Sequence, residues 1–119
     1  MPGISIHVVD VSRGVVAHGM RVAVRELRAN GGGARLIAAG SISGKGVLDE
    51  AALAATFAAG TYEAVFHVAD YYRKAGIALP EVPFLDVVTY AFGIADPAQH
   101  YHLPFKLTPW GYSLFRGGA

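Results

Sequence analysis

The chain has no cysteine, so no disulfide framework can hold its fold together. Charge is scarce too: 16% of the 119 residues are charged against 53% hydrophobic, and the formal net charge is +1. No cluster of cations exceeds the pair Arg73-Lys74, too little to neutralise a phosphate backbone, which argues against a nucleic-acid partner. Long apolar runs are also missing. Residues 51–59, alanine-rich, are the longest weakly polar stretch and fall far short of the roughly 20 residues a spanning helix needs. No basic segment followed by an apolar one opens the chain, so the expectation is a soluble, cytoplasmic protein with no membrane partner. There is no internal repeat, low-complexity segment or long linker, and residues 1–119 read as one domain. The apolar fraction is more than one core of this size easily hides, so self-association is its expected outlet.

What is present is a series of short alternating runs divided by turn signals. Residues 4–10 place Ile4, Ile6 and Val8 on one face and Ser5, His7 and Val9 on the other. Ser12-Arg13-Gly14 ends that strand, and residues 21–27 alternate next. Asn30-Gly31-Gly32-Gly33 is a hairpin turn, from which residues 34–39 return. Residues 41–46 form another tight turn, and 47–59 read as a short helix or an irregular connection. Gly60-Thr61 opens the clearest strand, with Tyr62, Ala64, Phe66 and Val68 on one face. Residues 69–75 favour one helix stopped by Gly76. A strand is expected over 84–91, after Pro80 and Pro83. The sum is an all-β, two-sheet β-sandwich of seven to eight strands with one short helix.

The C-terminal end carries the candidate chemistry: His100-Tyr101-His102-Leu103-Pro104, Pro109-Trp110-Gly111-Tyr112-Ser113, and Phe115-Arg116-Gly117-Gly118. A hairpin centred near Trp110 places His102 roughly opposite Gly118, folding the chain end over an imidazole. Pro104 inside this strand requires an edge or a bulge. His100 and His102 share one strand face, and a His-x-His pair with a distant third imidazole such as His7 is a conceivable zinc set. No carboxylate or further ligand has supporting spacing, so no metal is assigned. Ordinary polar-surface strand residues remain the alternative. Lys45 reads as a solvated charge in a Gly-Lys-Gly turn, and Arg116 as a surface residue. Lys106 shares the face of His102 and Pro104, where an edge lysine also serves to block aggregation.

Together these residues resemble the transthyretin-like family and, within it, the branch that hydrolyses 5-hydroxyisourate in purine catabolism. Ser5-Ile6-His7-Val8-Val9-Asp10 is similar to that family's first strand, with its histidine at His7. Ser43-Gly44-Lys45-Gly46 falls where the family has a D-G-R turn, and Pro80-Glu81-Val82-Pro83 matches a P-E-I/V-x segment. The C-terminal run is similar to H-Y-H-V-P followed by S-P-Y-G-Y-S-T-Y-R-G-S. The resemblance implies an eight-stranded sandwich, a homotetramer built as a dimer of dimers, and a small-molecule substrate bound in a channel where subunits meet. No cofactor is implied. By the same resemblance His7 and His102 handle the protons of water and leaving nitrogen, and Lys45 stabilises negative charge on the ring carbonyl. His100 supports them, and Lys106, Phe115, Arg116 and Gly118 bound the substrate.

Four positions depart from the family pattern. Arginine is replaced by Lys45, which keeps the charge and loses the planar two-pronged donor. Tyrosine is replaced by Phe115, the tail serine by Gly118, and a channel-facing aliphatic by Lys106. Two alternatives to the leading reading follow: the same scaffold acting on a different small anionic cyclic substrate, or a non-catalytic carrier of a small ligand.

Overall fold

Alternation along the first strand decides where the core lies, because every second side chain is aliphatic and every other one is small, polar or imidazole. In the computed structural model, which describes residues 2–27 and 33–118, this strand is β1 (Gly3–Asp10), with Ile4, Ile6 and Val8 buried. There follow β2 (Val15–Val16), β3 (Arg21–Leu27), β4 (Ala34–Ser41), a single 3-10 turn (Ala51–Ala54), β5 (Gly60–His67), α1 (Val68–Lys74), β6 (Val87–Ile94), β7 (His100–Thr108) and β8 (Gly111–Leu114). Apart from Gly33, the expected Asn30-Gly31-Gly32-Gly33 turn lies outside the described residues.

These strands form two four-stranded sheets, ordered β2-β1-β7-β8 and β4-β3-β5-β6. The all-β sandwich with one short helix expected from the spacing is therefore the observed architecture, with eight strands among the described residues. One pairing, β1 with β7, is parallel; the other ladders are antiparallel. Inward side chains of the two sheets meet directly, as in the Phe66–Phe105 pair, whose ring centroids are 4.3 Å apart. Helix α1 runs one residue earlier than expected and ends at Lys74; Gly76 follows its cap with a φ of 82°, the left-handed value that glycine supplies without strain.

Three local expectations are corrected. Strand β6 begins at Val87 and not at residue 84, and Phe84 is exposed. The carbonyl of Asp86 accepts hydrogen bonds from the backbone N–H of Val68 and Ala69, so it serves the start of α1 instead of a ladder. The terminal hairpin pairs Thr108 with Gly111, a register one residue tighter than expected. Gly117 N consequently donates to His102 O at 2.7 Å, and Gly117, not Gly118, faces His102. Strand β7 is interior, not an edge. Pro104 is tolerated because the ladder to β8 ends at Phe105–Leu114, so its missing N–H interrupts no rung on that side.

Where β1 ends, Asp10 is fully buried. Its carboxylate accepts hydrogen bonds from Tyr71 Oη (2.9 Å), Tyr72 Oη (2.8 Å) and Ser12 Oγ (2.7 Å), and Arg13 Nη1 lies 3.8 Å away. This knot ties α1 to the end of the first strand. Burial raises the pKa of both tyrosines, and hydrogen bonding to Asp10 reinforces the shift. Asp10→Ala leaves two buried hydroxyls without an acceptor and is expected to cost on the order of 3 kcal/mol, read as a lower denaturant midpoint. A phenol whose folded pKa is raised contributes stability that is complete below its unfolded value near 10 and is lost as pH rises beyond it. Thermal melts should therefore shift down above about pH 10, and less so in Tyr72→Phe. A pH-independent melt between 9 and 11 would contradict this.

Candidate functional site

The parallel ladder brings the sequence-predicted histidines together. Gly3 pairs with His100, Ser5 with His102 and His7 with Pro104, and a two-residue period turns Ser5, His7, His100 and His102 to the outer face of the sheet. Each is only partly buried, while their strand neighbours Ile4, Ile6, Tyr101 and Leu103 fill the core.

Ser5 sits between the paired imidazoles. Its Oγ is 2.6 Å from His102 Nδ1 and 2.8 Å from His100 Nε2. That contact orients the His102 ring and leaves Nε2 as its nitrogen for outside chemistry. Burial lowers the pKa of His102, and the neighbouring imidazoles of His100 and His7 lower it further against an opposing hydrogen bond to the Ser5 backbone. These influences favour the neutral ring, the state that can accept a proton.

Two glycines let the backbone close on these rings. A Cβ at Gly46 would stand 2.8 Å from His7 Nε2 and 2.7 Å from Val16 Cγ1, and Gly46 has a φ of 83°. Space and backbone conformation alike demand glycine at that point. Gly46 O accepts from Val8 N, and His7 bridges Val47, so the turn bearing Lys45 is fastened beside His7. Lys45 is exposed, its backbone N–H donating to Ser43 Oγ, and among the described residues its ammonium has no acidic partner. At the other ring, a Cβ on Gly117 would lie 2.6 Å from His102 Cδ2.

The remaining candidates stand apart. Arg116 donates to Gln99 Oε1 (3.0 Å) and His100 O (3.1 Å) and lies 4.0 Å above the Tyr101 ring. Its guanidinium pins the tail to the start of β7. Lys106 is exposed on the His102 face, but four residues along, about 13 Å at roughly 3.3 Å per residue. Phe115 is exposed, and nothing lies within 4 Å of where a Gly118 Cβ would be. Among the described residues no three His, Asp or Glu side chains gather as metal ligands. Sequence reasoning missed Ser5, Gly46 and Gly117. The parity of Ser5 with His7 was a signal for the first; the ring contacts of the glycines had none.

A family model described as the HIUase/Transthyretin family matches residues 4–117. The chain belongs to that family. It is 43% identical to 5-hydroxyisourate hydrolase 2 of Rhizobium meliloti over 115 residues, covering 96% of this chain and 94% of that one. Among solved structures it is similar to Klebsiella pneumoniae 5-hydroxyisourate hydrolase (TM-score 0.78, 26% identity, 99% and 100% coverage). It is similar also to sea bream transthyretin in complex with thyroxine (TM-score 0.83, 26% identity, 98% and 96% coverage). Backbone shape alone therefore does not separate a hydrolase from a binding protein in this family.

The lowered pKa of His102 has a measurable consequence. Its imidazole NMR titration should have a midpoint below 6.5, and His100→Gln should move that midpoint upward by removing one of the groups that lower it. Since the unfolded chain binds this proton more readily, the associated stability is present above pH 6.5 and lost as pH falls through it. A midpoint above 6.5 would refute this description of the site.

Proposed function

We propose that this protein is a cofactor-free hydrolase that opens the ring of 5-hydroxyisourate in urate catabolism. The observation that carries the reading is the His102 imidazole, held by Ser5 through Nδ1 on the sheet face that also bears His7, beside which the Lys45 turn is fastened. Kinship with a 5-hydroxyisourate hydrolase over almost the full chain supports it. His102 Nε2 takes a proton from water as it attacks a ring carbonyl, and His7 shares in placing that water. The Lys45 ammonium stabilises the developing oxyanion, and protonation of the leaving nitrogen completes ring opening. Lys106, Phe115, Arg116 and Gly118 bound the substrate, Arg116 by holding the tail in place.

The histidine face is open on a single chain, and neither of two clefts of about 420 and 260 Å³ is lined by His7, Lys45 or His102. A second subunit closing over it accounts for this, and for exposed Trp110, Tyr112, Phe115 and Val87. The assembly we infer is a homotetramer, a dimer of dimers, working in the cytoplasm; among the described residues no helix is long and apolar enough to cross a membrane.

A different small anionic cyclic substrate is the second reading, favoured by two exposed lysines, Lys45 in the turn beside His7 and Lys106 on the His102 face. A carrier is the third, and it leaves the hydrogen-bonded imidazoles without a task. Stopped-flow ultraviolet decay of freshly generated 5-hydroxyisourate tests all three. Rapid decay with the wild type, reduced on the order of 10²–10⁴-fold in His102→Ala, is expected. Lys45→Arg should match or exceed the wild type. Decay no faster than the spontaneous reaction rejects the reading, and a sharp loss in Lys45→Arg would show a pocket tuned to another ligand.

A further inference from the structure

Ser5 lies 2.6 Å from His102 Nδ1 and 2.8 Å from His100 Nε2. A serine hydroxyl has one hydrogen to donate. With both rings neutral, it donates to one imidazole and accepts from the other, so the two tautomers must be complementary across it. If Ser5 donates to His100, His102 carries its proton on Nδ1 and presents a bare Nε2, a base. If Ser5 donates to His102, that ring presents Nε2–H, an acid. His100 supplies the missing proton in the second case. Ser5 and His100 also line a cleft of about 260 Å³, together with Asp49 and Glu50.

We propose that Ser5 is a proton-relay and positioning residue that switches His102 between base and acid by passing a proton to and from His100. This rests on the hydrolase reading above. As His102 Nε2 takes a proton from the attacking water, the Nδ1 proton moves to Ser5 Oγ and the Ser5 hydroxyl proton moves to His100 Nε2. The hydroxyl joins the ring carbonyl carbon, whose oxygen becomes an oxyanion. His102 is left neutral with Nε2–H, and the positive charge rests on His100. In the second half the C–N bond breaks and the nitrogen takes the Nε2 proton. His100 returns its proton through Ser5 to His102 Nδ1, and the oxyanion collapses to the carboxyl group. One water is consumed and every side chain regains its starting state.

The groups facing the relay fit this use. His7 from β1 and His100 from β7 both disfavour a charged His102. A route that moves the charge to the neighbouring ring lowers that obstacle. Arg116 donates to the His100 backbone carbonyl and holds that residue's main chain. Asp49 and Glu50 share the cleft at the far end.

The test combines kinetics with a measurement that needs no substrate. Nitrogen-15 NMR of the imidazoles should show opposite protonation at His102 Nδ1 and His100 Nε2, a pattern lost in Ser5→Ala and kept in Ser5→Thr. In turnover of 5-hydroxyisourate, Ser5→Ala should lower kcat on the order of tenfold or more with KM little changed, and Ser5→Thr should restore it. The wild-type proton inventory in mixed light and heavy water should be bowed, and that of Ser5→Ala linear. Equal protonation of the two nitrogens, a linear wild-type inventory, or an unchanged kcat in Ser5→Ala would each overturn the relay. Absence of turnover with complementary tautomers intact would instead count against the substrate and leave the coupling of the two rings supported.

Discussion

The parallel pairing of β1 with β7 is the constraint on which the rest of the molecule depends. It joins segments about ninety-five residues apart, the separation of Ser5 from His100, and its register sets which outer-face side chains become neighbours. A slip of one residue would turn the imidazoles into the core and the aliphatics into solvent. That register is held by burial, since Ile4, Ile6 and Val8 lie beside Tyr101, Leu103 and Phe105 on the inner face. The same apolar requirement that closes the sandwich therefore positions the polar groups on its back.

Contact between sheet and loops completes the arrangement. The turn bearing Lys45 is fastened to β1 by Gly46 O and the Val47 bridge, at a spacing only glycine allows. The tail is fastened to β7 by Gly117 N and by the Arg116 guanidinium. Cationic, basic and terminal elements from three distant parts of the chain thus converge on one strand pair. The Asp10 knot anchors the far end of β1, so the strand carrying Ser5 and His7 is restrained along its length. Rigid elements of this kind hold a reacting geometry better than loops do.

One backbone shape is shared in this family by a hydrolase and a ligand-binding transthyretin. Similarity to a hydrolase and to a thyroxine-binding transthyretin is of the same order in backbone shape. The outer face of the β1–β7 pair carries the side chains that the proposed reaction uses. In this chain those side chains are a serine and three imidazoles, one of them favoured in its neutral form by burial and by its neighbours.

Much of this was legible in the chain itself. Alternation assigned the faces of β1, β5 and β7, because a two-residue period leaves a sequence with only one way to bury its aliphatics. Gly76 marked the end of α1, and His7, Lys45 and His102 stood out through their resemblance to family motifs. Boundaries set by long-range hydrogen bonds were not legible: β6 starts late because the Asp86 carbonyl serves α1, and the hairpin is one residue tighter than its turn residues imply. Nor could local sequence place Ser5 between two histidines, Gly46 against one ring or Gly117 against another. Patterns within a strand say which way a side chain faces. Which strand lies beside it, and in what register, depends on burying both inner faces at once, and only the folded chain decides that.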